Sequence, residues 1–261
     1  MAHKTRWLLG GLLCLALLPA FAHAQSPERM EEIGKILQKE IERKFGPDSP
    51  ATAFILNRQA GHYRAQGRDA EAEPLYERAL AIVEKAMGRD HPGVAENVNG
   101  LAELYHDQGR YAEAEPLYER ALAIRENALG PDHPDVAVSL NNLGELYRVQ
   151  GRYAEAESFH KRALAIRQKG SWPDNPGAAH SLNNLALVYQ AQGRYAEAEP
   201  LYLRALAIWK KSLGDDLLYE AGSLENYATL LRTTGRGPEA LKMEARARAL
   251  RAKHAKETAT K

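Results

Sequence analysis

The sequence has little cysteine, few aromatic residues and no excess of charge of either sign. Its 261 residues include one cysteine, Cys14, and 7% aromatic residues. A single thiol excludes an intrachain disulfide and any metal site built from several thiolates. Lys and Arg number 35 against 34 Asp and Glu, so no basic surplus attracts the phosphates of a nucleic acid, and we expect no nucleic-acid partner.

One long apolar run is present, and it lies at the start of the chain. Lys4 and Arg6 precede this run, which covers residues 7–21, and Ala22-His23-Ala24 then supplies the small-x-small pattern of a signal peptidase site. The run is 15 residues long, shorter than the roughly 20 that span a bilayer. We therefore expect residues 1–24 to be a cleaved signal peptide, the protein to be bacterial and periplasmic or secreted, and no stable membrane insertion after cleavage.

The strongest signal in the sequence is internal repetition. A Gly-Arg pair recurs every 42 residues, at Gly67, Gly109, Gly151, Gly193 and Gly235. Four equal spacings of this length are typical of a solenoid built from one repeated supersecondary unit.

Each repeat is predicted to be a pair of amphipathic helices. The apolar positions of one repeat form two stripes at helical spacing, the first with Leu140, Leu143, Gly144 and Tyr147, the second with Ala156, Phe159, Ala163 and Ile166. Gly151 lies between them, where glycine can end a helix in the left-handed conformation. The loop at 130–134, Gly-Pro-Asp-His-Pro, separates one repeat from the next.

Eleven helices and no strand are predicted. We expect an N-terminal capping helix and loop at 25–50, five helix pairs at 51–255 and a frayed basic tail at 256–261. Pro74, Pro116 and Pro200 fall near the starts of predicted second helices, where we expect an altered first turn and no break.

The repeat also carries a family resemblance. The segments Leu143-Gly144-x-x-Tyr147, Gly151-x-Tyr153, Ala156 and Ala163-Leu164 resemble the tetratricopeptide repeat signature. The segments 182–186 and 130–134 are similar to those of the long, kinesin-light-chain type. The resemblance implies an all-α, right-handed superhelical solenoid of antiparallel helix pairs.

Sequence patterns of catalytic and cofactor sites are absent. No glycine-rich nucleotide loop, His-Glu-x-x-His helix or EF-hand loop occurs. His91 and His133 occupy the same loop position in successive repeats, too far apart to share a metal ion. Ser181 follows His180 directly, so on a helix their side chains point about 100° apart. We therefore expect no catalytic residue, no metal and no cofactor, and a protein that is not an enzyme.

Asparagine recurs beside the core stripe of the first helices. The row consists of Asn57, Asn99, Asn141 and Asn183 and ends with Glu225. The resemblance implies that first helices line a concave surface, where extended peptides or partner helices bind. Amides both donate and accept hydrogen bonds, so such a row could pair with the backbone of an extended chain.

Neighbouring positions on the same face vary between repeats and are predicted to supply selectivity. They are Glu103, Glu145 and Leu187 in one row and His106, Arg148 and Gln190 in another. Two alternatives stay open: the asparagines satisfy backbone groups of loops or neighbouring helices, or the adjacent row of Gly100, Asn142, Asn184 and Asn226 lines the groove instead.

The sequence thus predicts a noncatalytic adaptor that binds a peptide segment or helix of another envelope protein in its concave groove. We expect a monomer or weak self-association. The alternative is a structural or assembly subunit of an envelope secretion, pilus or polysaccharide-export machine. Fold alone does not decide between them, because one repeat architecture carries many functions.

Overall fold

The computed structural model describes residues 27–169, 173–211 and 217–259, and this part of the chain is helical with no strand. The eleven predicted helices are present, and the all-α repeat fold is confirmed. They are α1 (Pro27–Phe45), α2 (Pro50–Ala65), α3 (Asp69–Met87), α4 (Ala95–Asp107), α5 (Tyr111–Leu129), α6 (Pro134–Val149), α7 (Tyr153–Gln168), α8 (Pro176–Ala191), α9 (Tyr195–Lys211), α10 (Leu217–Thr233) and α11 (Gly237–Ala259). The predicted signal peptide, 1–24, lies outside the described residues.

The described residues form two compact units, one ending at residue 128 and the other beginning at residue 129. In the first unit, α2 and α4 are first helices of a repeat, and α3 and α5 are second helices. In the second unit, α6, α8 and α10 alternate in the same way with α7, α9 and α11.

The repeated Gly-Arg pair ends each first helix. At Gly151 the backbone has φ +76°, a conformation that glycine adopts without a steric penalty. The N–H of Gly151 bonds to the carbonyl of Arg148 at 3.1 Å, and that of Arg152 bonds to the carbonyl of Tyr147 at 2.8 Å. These bonds satisfy carbonyls that the end of a helix leaves unpaired.

Side-chain caps begin the first helices. Ser49 Oγ accepts a bond from the N–H of Thr52 at 3.2 Å, and Asn175 Oδ1 accepts one from the N–H of Ala178 at 2.9 Å. His91 and His133 act in the same way. The Nδ1 atom of each accepts a hydrogen bond from the backbone N–H two residues later, with an N···N distance of 3.1 Å. The two loop histidines thus act as N-caps, which fixes their position in the repeat.

Proline in the second helices does not interrupt them. Helices α3, α5 and α9 run continuously through Pro74, Pro116 and Pro200, as the sequence predicts. Each proline is the sixth residue of its helix, so it removes one backbone bond, to the carbonyl four residues earlier, and the helix continues.

The predicted core stripes are buried, with one difference. Leu140 and Leu143 are fully buried, and Tyr147 is 4% exposed. In the second stripe Ala156 and Ala163 are fully buried. Phe159, however, is only half-buried, and the adjacent His160 takes the fully buried position.

Within each unit, arginines of the Gly-Arg pairs join successive helix pairs. Arg110 donates to Glu73 of the preceding second helix at 2.8 Å and to both oxygens of Glu113 at 2.8 Å. Its guanidinium lies 3.9 Å from the ring centroid of Tyr105. These hydrogen bonds lower the pKa of the Glu113 carboxyl. The same bond to the preceding helix, between 2.6 and 2.7 Å, joins Arg68 to Glu31, Arg194 to Glu157 and Arg236 to Glu199.

The row of acceptor glutamates ends in the last repeat. The position of Glu199 is occupied by Leu241, which is 56% exposed. At the other end Glu31 on α1 provides the first acceptor. Helix α1 therefore stands in the register of a second helix without a first-helix partner among the described residues.

The basic C-terminal segment is helical. Helix α11 continues to Ala259, well into the segment predicted to fray, and residues 260–261 lie outside the described range. Arg251 donates to both oxygens of Glu225 at 2.8 and 2.7 Å, and Arg246 pairs with Glu220. These ion pairs fix part of the basic charge against α10. No described helix has the length and apolar character of a membrane span.

Candidate interaction surface

In the first unit, α2 and α4 border a cleft of about 480 Å³ that contains three of the predicted site residues, Asn57, Asn99 and Glu103. Its other lining residues are Arg58, Gly61, His62, Tyr76, Glu96 and Gly100. The predicted asparagine row therefore borders a concave feature in this unit.

Two glycines make the cleft. The rows of Gly61 and Gly100 carry larger residues elsewhere, such as Leu187 and Asn142. A Cβ at Gly100 would lie 2.6 Å from Tyr76 Cε1, and one at Gly61 would lie 3.4 Å from the Tyr76 hydroxyl. The missing side chains leave the buried ring of Tyr76 as the floor.

The two asparagines of the cleft differ in their bonding. Asn99 Nδ2 donates to Glu103 Oε1 at 2.7 Å, and Glu103 also pairs with Arg64 across the cleft. The Asn57 amide has no hydrogen-bond partner among the described residues, and its Oδ1 is buried. An amide that has lost water without gaining a partner favours a ligand that completes it.

His106, a predicted selectivity residue, lies close to the aromatic side chains of α5. Its ring centroid is 5.6 Å from that of Tyr111 and 6.4 Å from that of Tyr118. Its Nε2 is buried without a hydrogen-bond partner. The ring thus packs against α5, which restricts its access to a ligand.

In the second unit, Asn141 is bonded at both ends of its amide. Its Oδ1 lies 3.0 Å from His160 Nδ1, and its Nδ2 donates to Ser181 Oγ at 3.0 Å. The amide therefore links α6 to both α7 and α8. Asn141 is thus used within the fold, as in the alternative, but the groups that it satisfies are side chains and not backbone groups.

Asn183 is also engaged within the second unit. Its Nδ2 donates to Asn184 Oδ1 at 3.4 Å, and its Oδ1 accepts from Asn226 Nδ2 at 3.2 Å. Asn184 and Asn226 belong to the rival row. The two asparagine rows thus bond to each other here, so neither is exclusively the ligand-facing one.

The varying positions of the second unit form internal pairs. Arg148 donates to both oxygens of Glu145 at 2.7 and 2.6 Å. Gln190 Oε1 accepts from the Tyr202 hydroxyl at 2.8 Å. Tyr202 is fully buried, and this burial raises the pKa of its hydroxyl well above the usual value.

His160 is a polar core residue that the sequence analysis does not single out. It is fully buried against Gly144, where a Cβ would lie 2.6–2.8 Å from the ring atoms. Burial lowers the pKa of His160 to about 4; Glu145 acts to raise it and Arg148 to lower it. The sequence does mark this position. In other repeats the residues equivalent to His160 are Tyr76, Tyr118 and Tyr202, and those equivalent to Gly144 are alanines.

Comparison with known proteins gives a consistent family. The tetratricopeptide repeat profile matches residues 22–85, 51–105, 94–169 and 177–253. No curated protein sequence matches the chain.

Solved structures similar to this chain include three informative neighbours. BtubC (BKLC) from P. vanneervenii has a TM-score of 0.72 at 23% identity, covering 88% of this chain and 92% of that one. A putative kinesin light chain of Podosopora anserina, with nearly identical TPR-like repeats, has a TM-score of 0.62 at 29% identity, covering 78% and 97%. PilW, described as a widely conserved type IV pilus biogenesis factor, has a TM-score of 0.63 at 18% identity, covering 92% and 91%. The similarity to proteins of kinesin-light-chain type is therefore confirmed at the level of fold.

Proposed function

The chain belongs to the tetratricopeptide repeat family, whose repeats generally serve as protein–protein interaction scaffolds, and from this premise we propose that it is a noncatalytic adaptor for a peptide segment or helix of another protein. Binding occurs on the asparagine-bearing face of the first helices. No reaction is required, because a preformed surface needs only to offer complementary groups to its partner.

The observation that carries this proposal is the unpartnered amide of Asn57 beside Asn99 in the cleft. A side-chain amide can donate to a backbone C=O and accept from a backbone N–H of an extended segment. Asn141 and Asn183 already bond within the chain. We therefore place the main contact with the partner at Asn57 and Asn99, with the residues of the second unit as a secondary surface.

We further propose that the adaptor is a bacterial protein exported by residues 1–24 and acts on another envelope protein. The support is the basic start, the apolar run and the Ala22-His23-Ala24 pattern. Intact mass of the protein recovered from the periplasm tests this step. A chain beginning at Gln25 is expected, and a chain that still contains Met1 contradicts it.

Affinity capture from an envelope extract tests the adaptor role. The unaltered protein is compared with the double variant Asn57→Ala/Asn99→Ala, and Asn127→Ala serves as matched control, because Asn127 is exposed on α5. We expect a partner held by the unaltered protein and the control and lost from the double variant. Equal capture by all three proteins contradicts binding at the cleft.

Light scattering addresses the alternative role as a structural or assembly subunit. The adaptor is expected to be a monomer or to self-associate weakly. A mass that rises steeply with concentration, together with empty captures, favours assembly.

A further inference from the structure

The cleft of the first unit contains a buried hydrogen-bond acceptor without a partner among the described residues, Asn57 Oδ1. The Tyr76 hydroxyl and the exposed carboxylate of Glu96 belong to residues that line the same cleft. In the second unit the corresponding tyrosine, Tyr202, donates to Gln190. In the repeat of Tyr76, the residue equivalent to Gln190 is Arg64, which is paired with Glu103. The tyrosine hydroxyl therefore has a glutamine as acceptor in one repeat, and no such glutamine in the other.

Charges of both signs surround the floor of the cleft. Burial raises the pKa of the Tyr76 hydroxyl; among the nearby charges Arg64 lowers it, and Glu103, Asp107 and Glu96 raise it. Glu103 and Asp107 are both paired with Arg64.

The other cation of the cleft, Arg58, is directed along its own helix. Its guanidinium lies 5.9 Å from the ring centroid of Phe54, one turn earlier. This contact holds the charge over an aromatic face instead of over the Tyr76 hydroxyl. Among the described residues the Glu96 carboxylate forms no ion pair, so one carboxylate of the cleft is open to a cation.

We propose that this cleft receives the cationic side chain, lysine or arginine, of the bound peptide segment. An ammonium group carries three N–H donors and no acceptor, which suits a cleft lined by the Asn57 amide, the Tyr76 hydroxyl and the Glu96 carboxylate. The Asn57 carbonyl reaches the space by rotation about χ2, a torsion that is broad for an amide. The aromatic floor adds attraction for a cation.

This inference rests on the proposed adaptor function and adds the chemistry of the residue that is recognised. The probes are three blocked tripeptides, acetyl-Ala-Lys-Ala-amide, acetyl-Ala-norleucine-Ala-amide and acetyl-Ala-Glu-Ala-amide. Norleucine keeps the length of the lysine stem without its charge. The readout is the side-chain amide resonances of Asn57 and Asn99 in the full chain, followed by NMR during titration.

We expect the lysine peptide to shift these resonances saturably and to bind at least about fivefold more tightly than the norleucine peptide, as a charge-assisted hydrogen bond in a partly solvated site allows. The glutamate peptide is expected to be the weakest. Equal affinity for lysine and norleucine overturns the proposal, and so does the absence of binding by all three peptides.

Two variants make the test specific to the cleft. Glu96→Gln removes one exposed carboxylate and is expected to weaken lysine-peptide binding about fivefold, whereas Glu119→Gln on α5 makes the same chemical change outside the cleft and leaves binding unchanged. Gly61→Leu fills the cleft with the residue of the same row, Leu187, and abolishes binding. Its Cβ has ordinary van der Waals clearance from Tyr76, so the helix keeps its fold.

The outcomes separate this inference from the adaptor function. If Asn57→Ala/Asn99→Ala loses the captured partner but Glu96→Gln does not change lysine-peptide binding, the adaptor function stands and the cation site is rejected. Selective lysine binding together with captures unaffected by the asparagine changes retains the cation site and rejects the cleft as the partner's main contact.

Discussion

Protonation of His160 is expected to make the stability of the second unit depend on pH. The ring is fully buried beneath Gly144, with Nδ1 3.0 Å from Asn141 Oδ1. The informative change is His160→Tyr, because Tyr76, Tyr118 and Tyr202 occupy the same row and are buried there. The substitution removes the titrating ring and retains a side chain that this position of the repeat accepts.

The size of the effect follows from the two pKa values of His160. Burial lowers the pKa from 6.5 to about 4, so between these values the unfolded chain binds more protons than the folded one. Stability therefore falls as pH falls through this range. Between pH 7 and pH 5 the protein should lose about 2 kcal/mol of unfolding free energy through this residue. The charges that face the ring, Glu145 and Arg148, remain in both proteins.

Urea denaturation at pH 7 and pH 5 measures the difference. The variant loses the bond to Asn141 and has a different stability, but that offset is the same at both pH values. We expect the unaltered protein to lose about 2 kcal/mol more than His160→Tyr over this interval. If both proteins lose the same amount, the buried histidine is not neutral in the way that its surroundings require, and the reasoning is wrong.

Other substitutions test individual packing and backbone features by denaturation midpoints. Gly144→Ala places a methyl group 2.6–2.8 Å from the His160 ring and should destabilise by about 1–3 kcal/mol, a loss that His160→Tyr relieves; additive effects contradict this coupling. Gly222→Ala, with no atom within 4 Å of the new Cβ, should stabilise α10 by up to about 1 kcal/mol, and a loss there contradicts open space. Gly151→Ala, at φ +76° with equally open surroundings, should cost about 1 kcal/mol through the backbone alone. Arg110→Gln should lower the midpoint less at high salt than at low salt, because it removes partly exposed ion pairs; a salt-independent loss points to packing.

The helices could be predicted because their ends are marked by local chemistry. Gly151 and its equivalents end first helices, and the loop before Pro134 begins the next, so the boundaries depend on residues within a few positions of each other. The arginine bonds between repeats were not predicted. Arg110 and Glu73 are 37 residues apart, and the sequence shows Gly-Arg only as a marker of the period.

The asparagine row was predictable as a row, but its use was not. Whether an amide is open depends on distant residues: Asn141 meets Ser181, 40 positions away, and His160, 19 positions away. The cleft arises from Gly61 and Gly100, which occupy different rows and become neighbours only when α2 and α4 pack side by side. A pattern read one row at a time does not show this.

The arginine bonds between repeats carry a consequence for how such a chain can change in length. Within each unit, a Gly-Arg arginine bonds to a glutamate of the preceding second helix. Duplication of a whole 42-residue segment copies a donor and an acceptor together, so the new junction is satisfied on both sides. Duplication of a segment of another length changes the spacing between donor and acceptor. Leu241 stands where the next acceptor would be. Duplication of the last repeat would therefore add an arginine that has no carboxylate to bond. Growth of the array by gene duplication should favour internal repeats.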